Sequence, residues 1–155
     1  MITLYTIGSS GWTAQQFFTA LQQAGVRRVL DIRRGGNSLL SGFAIKRDLP
    51  YLLRAIAGIE YVALPQLAPQ VETFRAHRRG TLSHEDYMVA YARQLNESNA
   101  LASLSGELLD GGCLLCSEHD PAECHRHVAA DMLADRWPQL RVEHLMQRPP
   151  RLPLA

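Results

Sequence analysis

A single three-layer α/β domain with a mostly parallel sheet of about five strands is predicted by three observations. Short apolar runs that end in glycine or turn formers alternate with segments of helical period. The first such run is followed by a capped helix and then a second run, a β-α-β opening that implies a parallel pair with a right-handed crossover. The chain has 155 residues and 46% hydrophobic content, enough for one well-packed core and too short for two ordinary domains.

The elements follow in order. Residues 2–7 read as the first strand and stop at Gly8-Ser9-Ser10-Gly11. Thr13 and Gln16 form a capping box for a helix through Ala24, with Phe17, Phe18, Leu21 and Ala24 as its buried stripe and Gly25 as its end. Residues 28–32 are the second strand, and residues 33–43 a loop rich in Gly, Ser and Asn. Asp48-Leu49-Pro50 starts a helix that Gly58 ends, and residues 59–64 form a short third strand before Pro65. From Val71 to about Leu109 the pattern is helical, with Ser83 and Asp86 opening a clear helix that carries Tyr87, Tyr91 and Leu95; this insertion is placed to overhang the sheet. Residues 112–116 are the fourth strand, a helix follows from Pro121 to about Trp137, and residues 141–145 supply the fifth strand. The arrangement is Rossmann-like over residues 1–147, and residues 148–155, with Pro149, Pro150 and Pro153, form a loosely held Pro-rich tail.

One stretch is denser in reactive side chains than any other. It runs from Gly112 to His127 and carries Cys113, Cys116, Glu118, His119, Asp120, Glu123, Cys124, His125 and Arg126. Asp120 suits an N-cap, Pro121 the first helical position and Glu123 the reciprocal partner of the cap. The loop from Cys116 to Asp120 then joins a strand end to a helix N-terminus, which favours anions and thiolates. On that reading Cys116 gains the effect, and Cys124 sits inside the first turns of the helix with its side chain toward the sheet, near Cys116. His127 has Asp131 one turn on and reads as an ordinary exposed pair. In open parallel sheets ligands bind beyond the carboxyl ends of the strands. Here those ends bear Ser9 and Ser10, then Asp31 and Arg33, then Cys116, Ser117 and Glu118.

Tyr5-Thr6-Ile7-Gly8-Ser9-Ser10, Asp31-Ile32-Arg33, Gly58-Ile59-Glu60-Tyr61 and Cys116-Ser117-Glu118 with Cys124-His125-Arg126 together resemble the family called domain of unknown function 488. The resemblance runs from about Leu4 to Leu145 and is most specific at the segment from Cys116 to Arg126. It implies a small α/β domain with its site at the positions just named, and it implies no reaction. Carried over residue by residue, it points to Arg33, Cys116, Glu118, Cys124, His125 and Arg126. The chain departs from the pattern at Ser9, where the family's usual residue is His, at the loop Gly35-Gly36-Asn37-Ser38-Leu39, and at Leu67-Ala68-Pro69.

The expected function is that of a small cytoplasmic enzyme with Cys116 as nucleophile. Glu118 or His125 moves protons, Cys124 is the second thiol, and Arg33 or Arg126 holds an anionic ligand together with Ser9, Asp31 and Ser117. A phosphate, nucleotide or nucleic-acid end suits such a site. It is not a tyrosine-phosphatase loop, which needs Arg six residues after the Cys, because position 122 is Ala. Other readings stay open. Cys116 and Cys124 can be small core hydrophobes or a reversible dithiol switch. A metal site from Cys116, Cys124 and His125, with or without His119, has zinc-like ligand types. Its spacing fits no common pattern and adjacent helical residues diverge by about 100°, so no residue is assigned as a metal ligand, and no cofactor is identified.

A non-enzymatic nucleic-acid or metal-binding module is the alternative class. The arginine clusters Arg27, Arg28, Arg33, Arg34 and Arg75, Arg78, Arg79 speak for nucleic acid; a net charge of +1 and the lack of an aromatic-basic motif speak against it. No run of eighteen apolar residues occurs, so no membrane partner is expected. Three cysteines, two of them beside histidines, suit a reducing compartment. Cys113 is expected in the core, Trp12 and Trp137 as packing residues and His84 as exposed. The residues do not define the oligomeric state.

Overall fold

The computed structural model describes residues 1–147; the Pro-rich tail expected at residues 148–155 lies outside the described residues. Strands β1 (Ile2–Gly8), β2 (Arg28–Asp31), β3 (Glu60–Ala63), β4 (Gly112–Cys116) and β5 (Leu140–Leu145) form one sheet in the order β3-β2-β4-β1-β5. Every neighbouring pair is parallel. The three-layer α/β fold and the sheet of five strands expected from the sequence are therefore present. β4 lies at the centre and is buried at all its positions, as a strand covered on both faces must be.

Helix α1 (Ala14–Ala24) carries the expected capping box, with Thr13 accepting from the Gln16 amide and the Gln16 side chain accepting from the Thr13 amide, and it ends at Gly25. It packs Phe17, Phe18 and Leu21 on one face of the sheet, against Leu49 of α2 (Leu49–Leu52) and Leu53 of the π turn that follows. The other face is covered by α4 (to be read after the short α3, Val71–Arg78), which spans His84–Ser98, and by α6 (His125–Arg136), which follows α5 (Gly106–Leu109). Tyr91 and Leu95 of α4 and Ala129, Ala130 and Leu133 of α6 meet Leu4, Leu30 and Leu114 there. Each fully buried Leu or Phe side chain contributes about 1.5–3 kcal/mol of transfer free energy.

The helical pattern from Val71 to Leu109 holds as several helices, with breaks after Arg78 and at Asn99, whose φ of 54° is left-handed. Ser83 does open α4, accepting from the Asp86 amide. The helix expected from Pro121 begins at His125: Asp120 caps only a single 3-10 turn, Pro121–Glu123, and extended backbone at Cys124 (φ −129°, ψ 146°) separates that turn from α6. Cys124 is thus the N-cap of α6 rather than a residue of its first turns. His127, expected as an exposed partner of Asp131, instead is half-buried with Nδ1 against the Pro121 and Cys124 carbonyls.

The topology places the site. The chain leaves β1 toward β2, past β4, and leaves β4 toward β5, past β1. With right-handed crossovers these two connections fall on opposite faces, which makes the carboxyl ends of β1 and β4 the point where the direction of the connections reverses. Ser9, Ser10, Ser117 and Glu118 line the pocket found at that edge.

Candidate functional site

The loop after β4 is tied to the loop after β1 by backbone bonds, the Ser9 amide donating to the Cys116 carbonyl at 2.9 Å and the Ser10 amide to the Ser117 carbonyl at 3.0 Å. Gly8 makes this possible. A Cβ at Gly8 would overlap the Glu118 carbonyl oxygen and lie 2.9 Å from Arg126 Nη1. Arg126 has no exposed surface. Its Nη1 donates to the Glu118 carbonyl, Nη2 to the His119 carbonyl at 2.7 Å, and Nε to Thr6 Oγ1 at 3.2 Å. Thr6 Oγ1 lies 2.6 Å from Nδ1 of His144, whose protonation burial disfavours. Burial lowers Arg126 to about 10, which still leaves it charged at neutral pH. Arg126 therefore shapes the loop from underneath.

Arg33 has an equally complete set of partners. Its Nε and Nη2 donate to the Asp31 carboxylate at 2.9 and 2.8 Å, and Nη1 donates to the Ala44 carbonyl at 2.7 Å. The Asp31 carboxylate also accepts from the Arg33 amide at 3.0 Å and from the Tyr61 hydroxyl at 2.6 Å, and burial together with that bond raises the Tyr61 pKa. Gly36, at φ +101°, lets the backbone lie on the Arg33 guanidinium, where a Cβ would come within 2.8 Å of Cζ. Every guanidinium nitrogen of the two arginines expected to hold an anion thus donates to the protein itself.

The reactive atoms converge between these two supports. Cys116 is 4%, Cys124 2% and His125 6% exposed, and their ligating atoms all lie within 4.8 Å of one another. The two cysteines are joined as a disulfide, their Cα atoms 7.0 Å apart. Nδ1 of His125 is 3.5 Å from Cys116 Sγ and 3.8 Å from Cys124 Sγ. Its Nε2 is 3.0 Å from the Ile32 carbonyl, an obligate acceptor, so the proton of the neutral ring sits on Nε2 and Nδ1 turns its lone pair to the sulfurs. Burial pushes the His125 pKa down to about 4, with the charge of Arg126 acting in the same direction. Tyr91 packs edge-on against the imidazole at 4.9 Å, and its hydroxyl donates to the Leu67 carbonyl at 2.6 Å, which fixes the ring plane. The divergence of about 100° expected for adjacent helical residues does not apply, because Cys124 is extended while His125 is helical.

This cluster forms the floor of a pocket of about 1010 Å³. Ser9, Ser117 and Glu118 line it as the sequence expects, with Ser117 and Glu118 exposed at the rim; Arg33 lies in its wall, while Asp31 and Arg126 stand behind it. The far wall comes from the helical insertion, through Phe74, His77 and Arg78 of α3 and Tyr87 of α4, and Arg34 and Trp12 complete it. His77 stacks on Tyr87 at 4.3 Å, and Arg78 lies over Phe74 at 5.6 Å. Arg34 and Arg78 belong to the arginine clusters named from the sequence, whereas Phe74, His77 and Tyr87 were not singled out as a site. The available signal was the run of aromatic and basic residues at helical spacing in an insertion placed over the sheet. Cys113 is fully buried in β4, where burial raises its thiol pKa, and Trp12, Trp137 and His84 are packed or exposed as expected. No helix among the described residues is long and apolar enough to cross a membrane.

A protein-family model described as "Domain of unknown function DUF488" matches residues 13–133, a span that includes β2, β3, β4, the pocket-wall residues of α3 and α4, and the cysteine cluster. No curated protein and no solved structure matches the chain.

Proposed function

The chain belongs to the DUF488 family, and from that premise we propose that it is a small thiol-dependent enzyme whose working group is the cluster of Cys116, Cys124 and His125, acting on an anionic ligand in the pocket above. The observation that carries this reading is the convergence of two sulfurs and one imidazole lone pair within 4.8 Å on the floor of a pocket. Core cysteines need neither a pocket nor an oriented imidazole.

The chemistry follows from the reduced pair. Full proton transfer to His125 would create a buried cation beside Arg126, so the imidazole serves as an acceptor that orients the Cys116 thiol. Thiolate character falls instead on Cys124, which occupies the N-cap of the twelve-residue helix α6, where the helix field is worth up to about 2 kcal/mol. Attack by the Cys124 thiolate on an electrophilic centre of the ligand, with departure of the leaving group that centre carries, is the step this geometry favours. Glu118, exposed at the rim, supplies a carboxylate for proton exchange with solvent, and Ser9 and Ser117 supply hydroxyls to the ligand. Arg34 and Arg78, in the pocket wall, take the charge-pairing role in place of Arg33 and Arg126.

The test is pH-dependent alkylation of the reduced, folded protein, read peptide by peptide by mass spectrometry. Labelling of Cys124 or Cys116 with an apparent pKa well below about 8.5, with Cys113 untouched, is the expected result. Thiols at 116 and 124 that stay inert until the protein unfolds would end the catalytic reading.

A further inference from the structure

We propose that the reduced form of this cluster is a zinc site, with Cys116 Sγ, Cys124 Sγ and His125 Nδ1 as ligands and a fourth position open to the pocket, and that oxidation of the two thiolates expels the ion. The inference rests on the reading of these three residues as the working site, and it adds a ligand and a regulation to that site.

The geometry favours a metal over an incidental cluster. Zn–S bonds of about 2.3 Å and Zn–N bonds of about 2.0–2.1 Å in a tetrahedron put sulfur and nitrogen roughly 3.6 Å apart. The two Sγ–Nδ1 distances are 3.5 and 3.8 Å. The sulfurs separate to roughly 3.8 Å, the corresponding edge between two sulfurs, when their bond is broken, and backbone positions 7.0 Å apart accommodate that separation. The imidazole is already in the tautomer a metal needs. Its Nδ1 lone pair faces the sulfurs while Nε2 donates to the Ile32 carbonyl, the outer-shell bond that metal-binding histidines make. All three residues are more than nine-tenths buried, and among the described residues no fourth Cys, His, Asp or Glu joins them. Three protein ligands and an open position are the arrangement of a reactive zinc rather than a structural one. Ser9, Glu118 and Glu123 stand around that opening.

The release step balances with a small-molecule disulfide as oxidant. One zinc-bound thiolate attacks the oxidant's S–S bond, forming a mixed disulfide and displacing one thiolate. The second cysteine thiolate then attacks the protein sulfur of that mixed disulfide and displaces the other thiolate. The pair Cys116–Cys124 loses two electrons, the oxidant gains them as two thiolates, and zinc leaves because a disulfide is not a ligand.

The test uses the full chain, reduced with a phosphine and freed of metal, titrated with Co2+ and then Zn2+. The expected result is one Co2+ per chain with a sulfur-to-cobalt band in the near ultraviolet and tetrahedral visible bands, displaced by Zn2+ and abolished by oxidised glutathione with release of two thiols per ion. Cys124→Ser keeps a favourable N-cap residue and so folds; it is expected to halve the sulfur-to-cobalt band and weaken binding at least about tenfold. Cys113→Ala leaves the spectrum unchanged. A reduced protein that takes up no cobalt with thiolate character overturns the zinc site, as does a Cys116→Ser/Cys124→Ser variant that binds cobalt as the parent does. Rapid alkylation without a cobalt band removes the metal and leaves the thiol enzyme standing. A cobalt band in a protein whose metal-free thiols are inert retains the metal and removes the nucleophile.

Discussion

Replacing Asp31 by Asn removes the charge from a carboxylate that accepts four hydrogen bonds, three from Arg33 and one from Tyr61. Both side chains of the ion pair are only 1% exposed, so the guanidinium left behind has no solvent to turn to. Breaking a buried pair from one side costs about 3–5 kcal/mol, because the residual charge is unpaired. With a urea m-value of about 2 kcal/mol/M for a chain of this size, the unfolding midpoint of Asp31→Asn falls by about 2 M. Such a loss is a large share of a total stability of about 5–15 kcal/mol. Tyr61→Phe, which leaves the ion pair intact, costs about 1.5–3 kcal/mol, the value of one hydrogen bond to a charged group. The decisive comparison is Asp31→Asn/Arg33→Met. If the cost comes from the orphaned guanidinium, the double variant recovers at least half of the lost stability. A midpoint shift for Asp31→Asn below about 0.5 M, or a double variant less stable than Asp31→Asn alone, would refute the reasoning.

Other outcomes follow from the same geometry. His125 has a folded-state pKa of about 4, below the ordinary value of 6.5, so between those values the unfolded chain binds more protons than the folded one. His125 thus contributes stability that is present above about pH 6.5 and is lost as pH falls toward about 4; urea melts across this range check the sign, and nitrogen NMR of the ring should show the Nε2-protonated tautomer near neutrality. Gly8→Ala forces its methyl group against the Glu118 carbonyl and is expected to cost about 1–3 kcal/mol, with faster amide exchange at Ser117 and Glu118. Arg126→Met removes the donors to the Glu118 and His119 carbonyls; loss of about 2–3 kcal/mol in thermal melts is expected, with the loop after β4 loosened. Cys113 should resist alkylation in the folded protein at pH 9, since burial raises its pKa.

The fold was legible because each strand carries local punctuation. Gly8, Gly25, Gly58 and the Gly111-Gly112 pair stand where elements end or begin, and the Thr13 and Ser83 caps sit where the sequence places them. The helix start at the site was misplaced for a definite reason. Asp120, Pro121 and Glu123 satisfy every local rule for opening a helix, yet the turn they cap lasts only three residues, and tertiary demands on Cys124 restart the helix at His125. No local signal distinguishes a capped 3-10 turn from a capped α-helix. The nearness of Cys124 to Cys116 was legible in the segment, whereas the approach of His125 to both sulfurs was hidden because it depends on one extended residue. The internal partners of Arg33 and Arg126 were not legible for another reason. Whether a guanidinium faces a ligand or the protein's own acceptors depends on partners outside the local segment, the Ala44 carbonyl across a loop for Arg33 and the Thr6 hydroxyl on a distant strand for Arg126.

The central place of β4 bears on how the protein is made. During synthesis β1, β2 and β3 all emerge before β4, yet in the finished sheet β1 and β2 touch only through β4, which enters between them. A nascent chain that stops short of Gly112 therefore holds two strands with open edges and no means of pairing them correctly, a state prone to association with other chains. Cys116 and Cys124, only eight residues apart, can meet as soon as they are synthesised, whereas the pocket around them awaits the insertion of β4 beside a strand more than a hundred residues upstream in the pairing of Gly8 with Cys116. The oxidation state of the two sulfurs is thus open to being set before the pocket around them exists.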